Sequence, residues 1–194
     1  MFIALTGGIG AGKSVVARLL RIMGYAVFDC DIEARMLMDD DDDIKARIGA
    51  EITADAIDDQ GAIDRARLSE IVFSDAEKLA SLNAVVHSAV KERLARWCER
   101  QDKRPVFVET AILYQSGLNR MVDAEWSVEA PVEIRVARVM ARNGISRRQV
   151  MARIEAQHYT PADGEPMPET HIIENDGTTP LLPQVLGLLR QAQL

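Results

Sequence analysis

Apolar positions in this chain fall into short unbroken runs separated by stripes of helical spacing, the pattern of strands and helices in alternation. Phe2 to Leu5 is a run that predicts a buried first strand, and Val15 to Met23 repeats as an amphipathic helix. Gly24 closes that helix, and Tyr25 to Phe28 predicts a short second strand. A helix from Ile32 to Met38 follows. Residues 44 to 101 then read as largely helical. Asp64 opens one helix there, with Leu68, Ile71 and Val72 on its stripe. Asp75 caps a longer one through Leu79, Leu82, Val86, Val90, Leu94 and Trp97. Arg104 and Pro105 end the helical region. Val106 to Val108 and Trp126 to Ala130 predict the third and fourth strands. Pro131 starts a helix over Val132 to Arg142, which Asn143 and Gly144 stop. Ser146 and Gln149 form a capping box opening a helix to about His158. Thr160 to Thr170, with three prolines, reads as a mobile loop. His171 to Glu174 is a short fifth strand, and Pro180 to Gln193 a closing helix through Leu182, Val185, Leu186 and Leu189. This order predicts an α/β fold on a parallel sheet, and 194 residues suit one domain.

The stretch between the first strand and the first helix gives this pattern a chemistry. Gly7, Gly12, Lys13 and Ser14 fit the phosphate-loop spacing G-x-x-x-x-G-K-[ST], with a strand before it and a helix after it. Glycines at 7, 8, 10 and 12 let the backbone curl so that N–H groups converge on phosphate oxygens at a helix N-terminus. Lys13 is then expected to reach the β- and γ-phosphates of a nucleotide and Ser14 to ligate Mg²⁺.

Charge sharpens the picture. The net charge is −7, which argues against a nucleic acid or an anionic membrane as partner, and no apolar run has the length of a membrane span. No leader peptide is expected. Cys30 and Cys98 make no disulfide or metal pattern, so a reduced cytoplasmic setting and buried thiols are expected. Positive charge is concentrated locally. Arg135, Arg138, Arg142, Arg147, Arg148 and Arg153 occur within residues 135–153 with no acid among them. The first three share a helix face, and the arginine fork suits phosphate oxygens.

Acids at the ends of parallel strands face the ligand crevice. Asp29 and Asp31 follow the second strand, and Glu109 ends the third, where a carboxylate is expected to hold Mg²⁺ or orient a nucleophile. Asp39 to Asp43 reads as a solvated acidic turn feeding a helix at Ile44, rather than a metal site. His87 beside an apolar helix stripe is ordinarily structural.

The motifs fall in a recognisable order. They are Leu5 to Gly10 with Gly12, Lys13 and Ser14; Asp29 and Asp31, then Ala34 and Arg35; Asp64, Arg65 and Leu68; Val72 and Phe73; Leu82, Asn83 and His87; Ala111 to Leu113; Arg138 with Arg142; Gln157; and Ile173, Asn175 and Gly177. In order and spacing they resemble the dephospho-CoA kinase family over nearly the whole length. The resemblance implies a three-layer phosphate-loop kinase fold with a five-stranded parallel sheet. A helical acceptor-binding region at about 32–101 and a lid at about 138–165 would be inserted into a single domain of residues 1–194. It implies transfer of the ATP γ-phosphate to the ribose 3′-hydroxyl of dephospho-CoA, the last step of coenzyme A synthesis. Asp31 is then the expected base, with Lys13 and Arg138 also catalytic. ATP would meet Gly8, Gly10, Ala11, Gly12, Lys13, Ser14, Val15, Arg142, Asn175 and Gly177. The acceptor would meet Asp31, Arg35, Arg65, His87 and Leu113. Mg²⁺ would sit by Ser14 and Glu109. A cytoplasmic monomer is expected, with ATP and dephospho-CoA as its partners. The chain departs from the family's usual pattern at Ser88, Ala111 and Gln115, and 154–189 contains no Lys or Arg. Two other functions remain open from the residues alone: a kinase for another small molecule, such as a nucleoside, and a nucleotide-binding regulator. The guanine signature Asn-Lys-x-Asp is absent.

Overall fold

Strand β1 (Phe2–Thr6) is the middle of a five-stranded parallel sheet in the order β2-β3-β1-β4-β5, formed with β2 (Val27–Asp29), β3 (Val106–Glu109), β4 (Ala124–Glu129) and β5 (Glu169–Glu174). This computed structural model describes residues 1–102, 105–157, 159 and 164–192. The chain divides into two compact units, Met1–Asp29 with Gln101–Leu194, and Cys30–Arg100.

The first unit holds the sheet. Side chains alternate across a strand, so Ile3, Leu5, Phe107, Trp126, Val128 and Ile173 share a core with α1 (Lys13–Ile22) and α8 (Leu181–Ala192). The helices contribute Val16, Ala17, Leu20, Val185 and Leu189. Phe107 and Trp126 are fully buried with ring centroids 5.0 Å apart. Burying each such side chain stabilises the unit by roughly 1.5–3 kcal/mol. A second apolar seam joins α6 (Val132–Asn143) and α7 (Arg147–Ala156) through Val136, Val139 and Val150. Ile9 of the glycine-rich loop packs into that seam.

The second unit is helical: α2 (Cys30–Asp40), α3 (Asp42–Glu51), α4 (Arg65–Phe73) and α5 (Ala76–Glu99). Asp64 and Asp75 cap α4 and α5 as their sequence positions require. No helix among the described residues is long and apolar enough to cross a membrane.

Several expected boundaries shift. The aspartate run is not a five-residue turn. Asp39 and Asp40 end α2, and Asp41 is the N-cap of α3, accepting from Asp43 N and Ile44 N at 3.1 Å each. Acids at a helix N-terminus stabilise it, which explains why one residue suffices to turn the chain. Helix α2 starts at Cys30 rather than Ile32. Strand β5 begins at Glu169, taking two residues from the expected loop, because each of its residues pairs with β4. Leu182 and Leu186 are exposed at 48% and 37%, while Val185 and Leu189 carry the core contact of α8. Leu82 and Trp97 are only partly buried; the buried stripe of α5 is Val85, Val86, Ala89, Val90, Leu94 and Cys98. Arg104, His158, Thr160 to residue 163, and Gln193 lie outside the described residues.

Candidate active site

The turn from β1 into α1 ends on a helix N-terminus that no side chain caps. Gly12 caps α1 with φ +106°, a left-handed conformation that only glycine adopts readily, and no side chain caps that N-terminus. The first turn carries no acid. The positive end of the helix dipole is therefore open to an anion. Lys13 bends back over the loop, and its Nζ donates to Gly7 O at 2.5 Å.

The loop is braced by Arg135 and Asn175 together with Arg138 and Gln157, two residues within the lid that the resemblance implied at about 138–165. Arg135 Nε donates to Ile9 O at 2.9 Å, and Ile9 N–H donates to Gln157 Oε1 at 2.6 Å. The Arg135 guanidinium lies so close over Gly8 that a Cβ there would have to displace it. Burial pushes the Arg135 guanidinium below its ordinary pKa. Arg138 Nη1 reaches Gly10 O and Ala11 O, each at 3.4 Å, and its Nη2 reaches Asn175 O at 3.1 Å and Oδ1 at 3.3 Å. Asn175 Nδ2 donates to Ala11 O at 2.6 Å. Carbonyls of residues 9 to 11 are thus held outward. Arg142 does not join this brace: it is exposed, with Nε donating to the Asn143 side chain at 2.8 Å. Val15 is 51% exposed. Gly177, at φ +89°, lies in the turn after β5. The basic segment is also less unpaired than its composition suggests, since Arg147 forms a two-pronged ion pair at 2.7 Å with Glu133, just ahead of that segment.

Beside the helix start, three oxygen-bearing side chains are neighbours. The register pairs Asp29 with Glu109 across β2 and β3, and the Ser14 hydroxyl hydrogen-bonds the Glu109 carboxylate. Glu109 is buried, its Oε2 has no hydrogen-bond partner, and Arg21 Nη2 stands 3.8 Å from that oxygen. Burial and the neighbouring Asp29 charge raise the Glu109 pKa; Ser14, Arg21 and Lys13 offset part of this. An orphaned, crowded carboxylate with a hydroxyl and a second acid beside it suits a hard divalent cation. Mg²⁺ is commonly held by one or two carboxylates plus substrate phosphates. The described residues contain no group of three His, Cys, Asp or Glu placed to cage a metal, so the rest of its shell would come from nucleotide and water.

The unit boundary splits the Asp29/Asp31 pair: Asp29 ends β2, and Asp31 lies exposed in the first turn of α2. Arg35 is one turn further along α2 and is also exposed. Arg65 is committed to α2, its Nη2 donating to Asp39 Oδ1 at 2.8 Å and to Arg35 O at 3.1 Å. His87 is half-buried on α5, where burial, and then the Lys91 charge, push its pKa down.

In the first unit, a cleft of about 210 Å³ opens beside Gly7 and Gly8, lined also by Leu113, Tyr114, Gln115 and Glu125. Leu113 is buried in its wall. Arg135, Gln157 and Glu125 had not been picked out as site residues. The basic run held Arg135 and the ordered motifs held Gln157, whereas Glu125 lay just ahead of the expected strand Trp126 to Ala130, which in fact starts at Ala124.

A family model described as Dephospho-CoA kinase matches residues 1–180. The dephospho-CoA kinase of Thermus thermophilus is 38% identical over 178 residues, covering 92% of this chain and 84% of that protein. That of Bacteroides fragilis is 34% identical over 188 residues, covering 96% of this chain and 90% of that protein. The crystal structure of TT1252 from Thermus thermophilus superposes with a TM-score of 0.77 at 36% identity, over 100% of this chain and 96% of that one.

Proposed function

From the premise that this chain belongs to the dephospho-CoA kinase family, we propose that it transfers the γ-phosphate of ATP to the 3′-hydroxyl of dephospho-CoA through the residues gathered around the Gly7–Ser14 loop. The observation that carries the assignment of roles is the uncapped, acid-free start of α1 behind a loop whose carbonyls are tied outward. Such a loop offers its amides to the phosphates of ATP.

Phosphoryl transfer needs little covalent help and much positioning and charge stabilisation. Lys13 leaves Gly7 O for the phosphate oxygens when ATP arrives, so its ammonium moves from one acceptor to a stronger, charged one. Ser14 and Glu109, with Asp29 adjacent, would hold Mg²⁺, which would supply charge neutralisation at the triphosphate. Asp31 accepts or orients the proton of the acceptor hydroxyl. Arg135 and Arg138 keep the loop preorganised, so little reorganisation is needed as charge develops. Arg35, Arg65 and His87, on the helical unit, bind the acceptor, while Asn175 and Gly177 border the nucleotide. Buried cysteines at 30 and 98 suit a reducing cytoplasmic setting.

The test is ADP release by the purified protein over a panel of acceptors. Turnover should require dephospho-CoA, and Lys13→Ala should lower it at least about 100-fold without unfolding the chain. Equal rates with adenosine would replace this reading by a nucleoside kinase. ATP binding without turnover on any acceptor would favour a regulator.

A further inference from the structure

The sheet face opposite the α1/α8 core carries an unusual polar patch. Thr6, Glu125 and Thr170 lie on adjacent strands, with Glu125 directly opposite Ala4 on one side and Thr170 on the other. Glu125 is 7% exposed. Its carboxylate is satisfied by hydroxyls: Thr6 Oγ1 donates to Oε1 at 2.5 Å, and Tyr114 OH and Thr170 Oγ1 donate to Oε2 at 2.7 and 3.2 Å. Thr6 is the residue that leads into Gly7. Tyr114 lies in the wall of the 210 Å³ cleft, and its ring stacks on Tyr159 with centroids 5.7 Å apart and planes 10° from parallel. Tyr159 OH in turn donates to Glu165 at 2.9 Å.

We infer that Glu125 is a positioning residue of the phosphoryl-transfer site: it sets Thr6 at the mouth of the phosphate loop and Tyr114 in the cleft wall, and so shapes the space that the acceptor enters. The location follows from the loop itself: Thr6, Gly7 and Gly8, where the phosphate loop begins, line this cleft. Glu125 is engaged by hydroxyls rather than aimed at a ligand: three of the roughly four acceptor sites of a carboxyl group are filled by donors that hold it in place. Burial and the Glu125 carboxylate also raise the Tyr114 pKa, so its phenol stays a donor. The stacked pair then gains a defined ring orientation that neither tyrosine has alone.

The inference rests on the dephospho-CoA kinase reading, whose own failure would show as wild-type protein inactive on dephospho-CoA. The experiment measures the KM of dephospho-CoA and of ATP separately for wild type, Tyr114→Phe, Glu125→Gln and the double variant, with Tm recorded for each. Tyr114→Phe and Glu125→Gln should each raise the dephospho-CoA KM about tenfold, the ratio that ~1.4 kcal/mol of lost orientation produces. The KM of ATP should stay within about twofold. The double variant should be no worse than Glu125→Gln alone, because the Tyr114 bond is one of the three that Glu125→Gln disturbs. A fall in Tm with both KM values unchanged would overturn the inference, as would an equal rise in both KM values or multiplying effects in the double variant. If Glu125→Gln fails to fold, the KM split in Tyr114→Phe decides alone, since removing one partly buried hydroxyl leaves the strand intact.

Discussion

Arg138 gives the sharpest test of how the loop works. Its guanidinium meets four oxygens, Gly10 O, Ala11 O, and Asn175 O and Oδ1, at 3.1–3.4 Å. Hydrogen bonds to a charged donor are worth roughly 1.5–3 kcal/mol where well formed. These lie at the long end of the range, Arg138 is partly exposed, and Ala11 O keeps Asn175 Nδ2 at 2.6 Å when Arg138 is gone. About 1–2 kcal/mol is therefore the expected loss on Arg138→Ala, a factor of about 5–30. Because the interaction orders the loop before ATP arrives, the loss should appear mainly in the KM of ATP. The assay is steady-state ADP release with ATP varied at saturating dephospho-CoA, beside direct ATP binding by calorimetry. Unchanged ATP affinity with kcat reduced more than about 100-fold would refute the bracing role. It would show instead that the guanidinium leaves the loop carbonyls and acts on the transferring phosphoryl group, the scale of an arginine finger.

Glu109→Gln keeps the size and the contact to Ser14 but removes the crowded charge. The Mg²⁺ concentration for half-maximal turnover should rise about 10–100-fold, while Tm stays equal or rises, because burial and Asp29 disfavour that charge in the folded state; an unchanged Mg²⁺ requirement would remove Glu109 from the metal site. His87 supplies a pH test. Its pKa is lowered on folding from an ordinary value of 6.5. The unfolded chain therefore binds the extra proton, and stability should fall as pH drops through and below about 6.5. The Tm difference between pH 7.5 and 5.5 should shrink in His87→Gln, and identical pH dependence in the two proteins would show that His87 does not titrate differently on folding.

Much of this protein was legible before its structure. The phosphate loop, the alternation of strand and helix, and the caps Asp64, Asp75 and Ser146 depend on residues within a few positions of one another. Local sequence carries that information directly. The short-range pairing of Arg147 with Glu133 was missed because a count of arginines between two chosen positions omitted the acid just outside them. What sequence could not supply was register. Arg135 finds Ile9 across 126 positions, and Glu125 collects Thr6, Tyr114 and Thr170 across 119, 11 and 45. Glu125 falls in sequence just ahead of the expected strand Trp126 to Ala130. Only the parallel pairing of β4 between β1 and β5 encloses it and surrounds it with hydroxyls. Likewise, a run of arginines signals an anion, but whether a guanidinium meets a phosphate or a backbone carbonyl depends on where α6 packs. The seam of Val136, Val139 and Val150 against Ile9 decided that, by burying apolar surface that brings α6 to the loop.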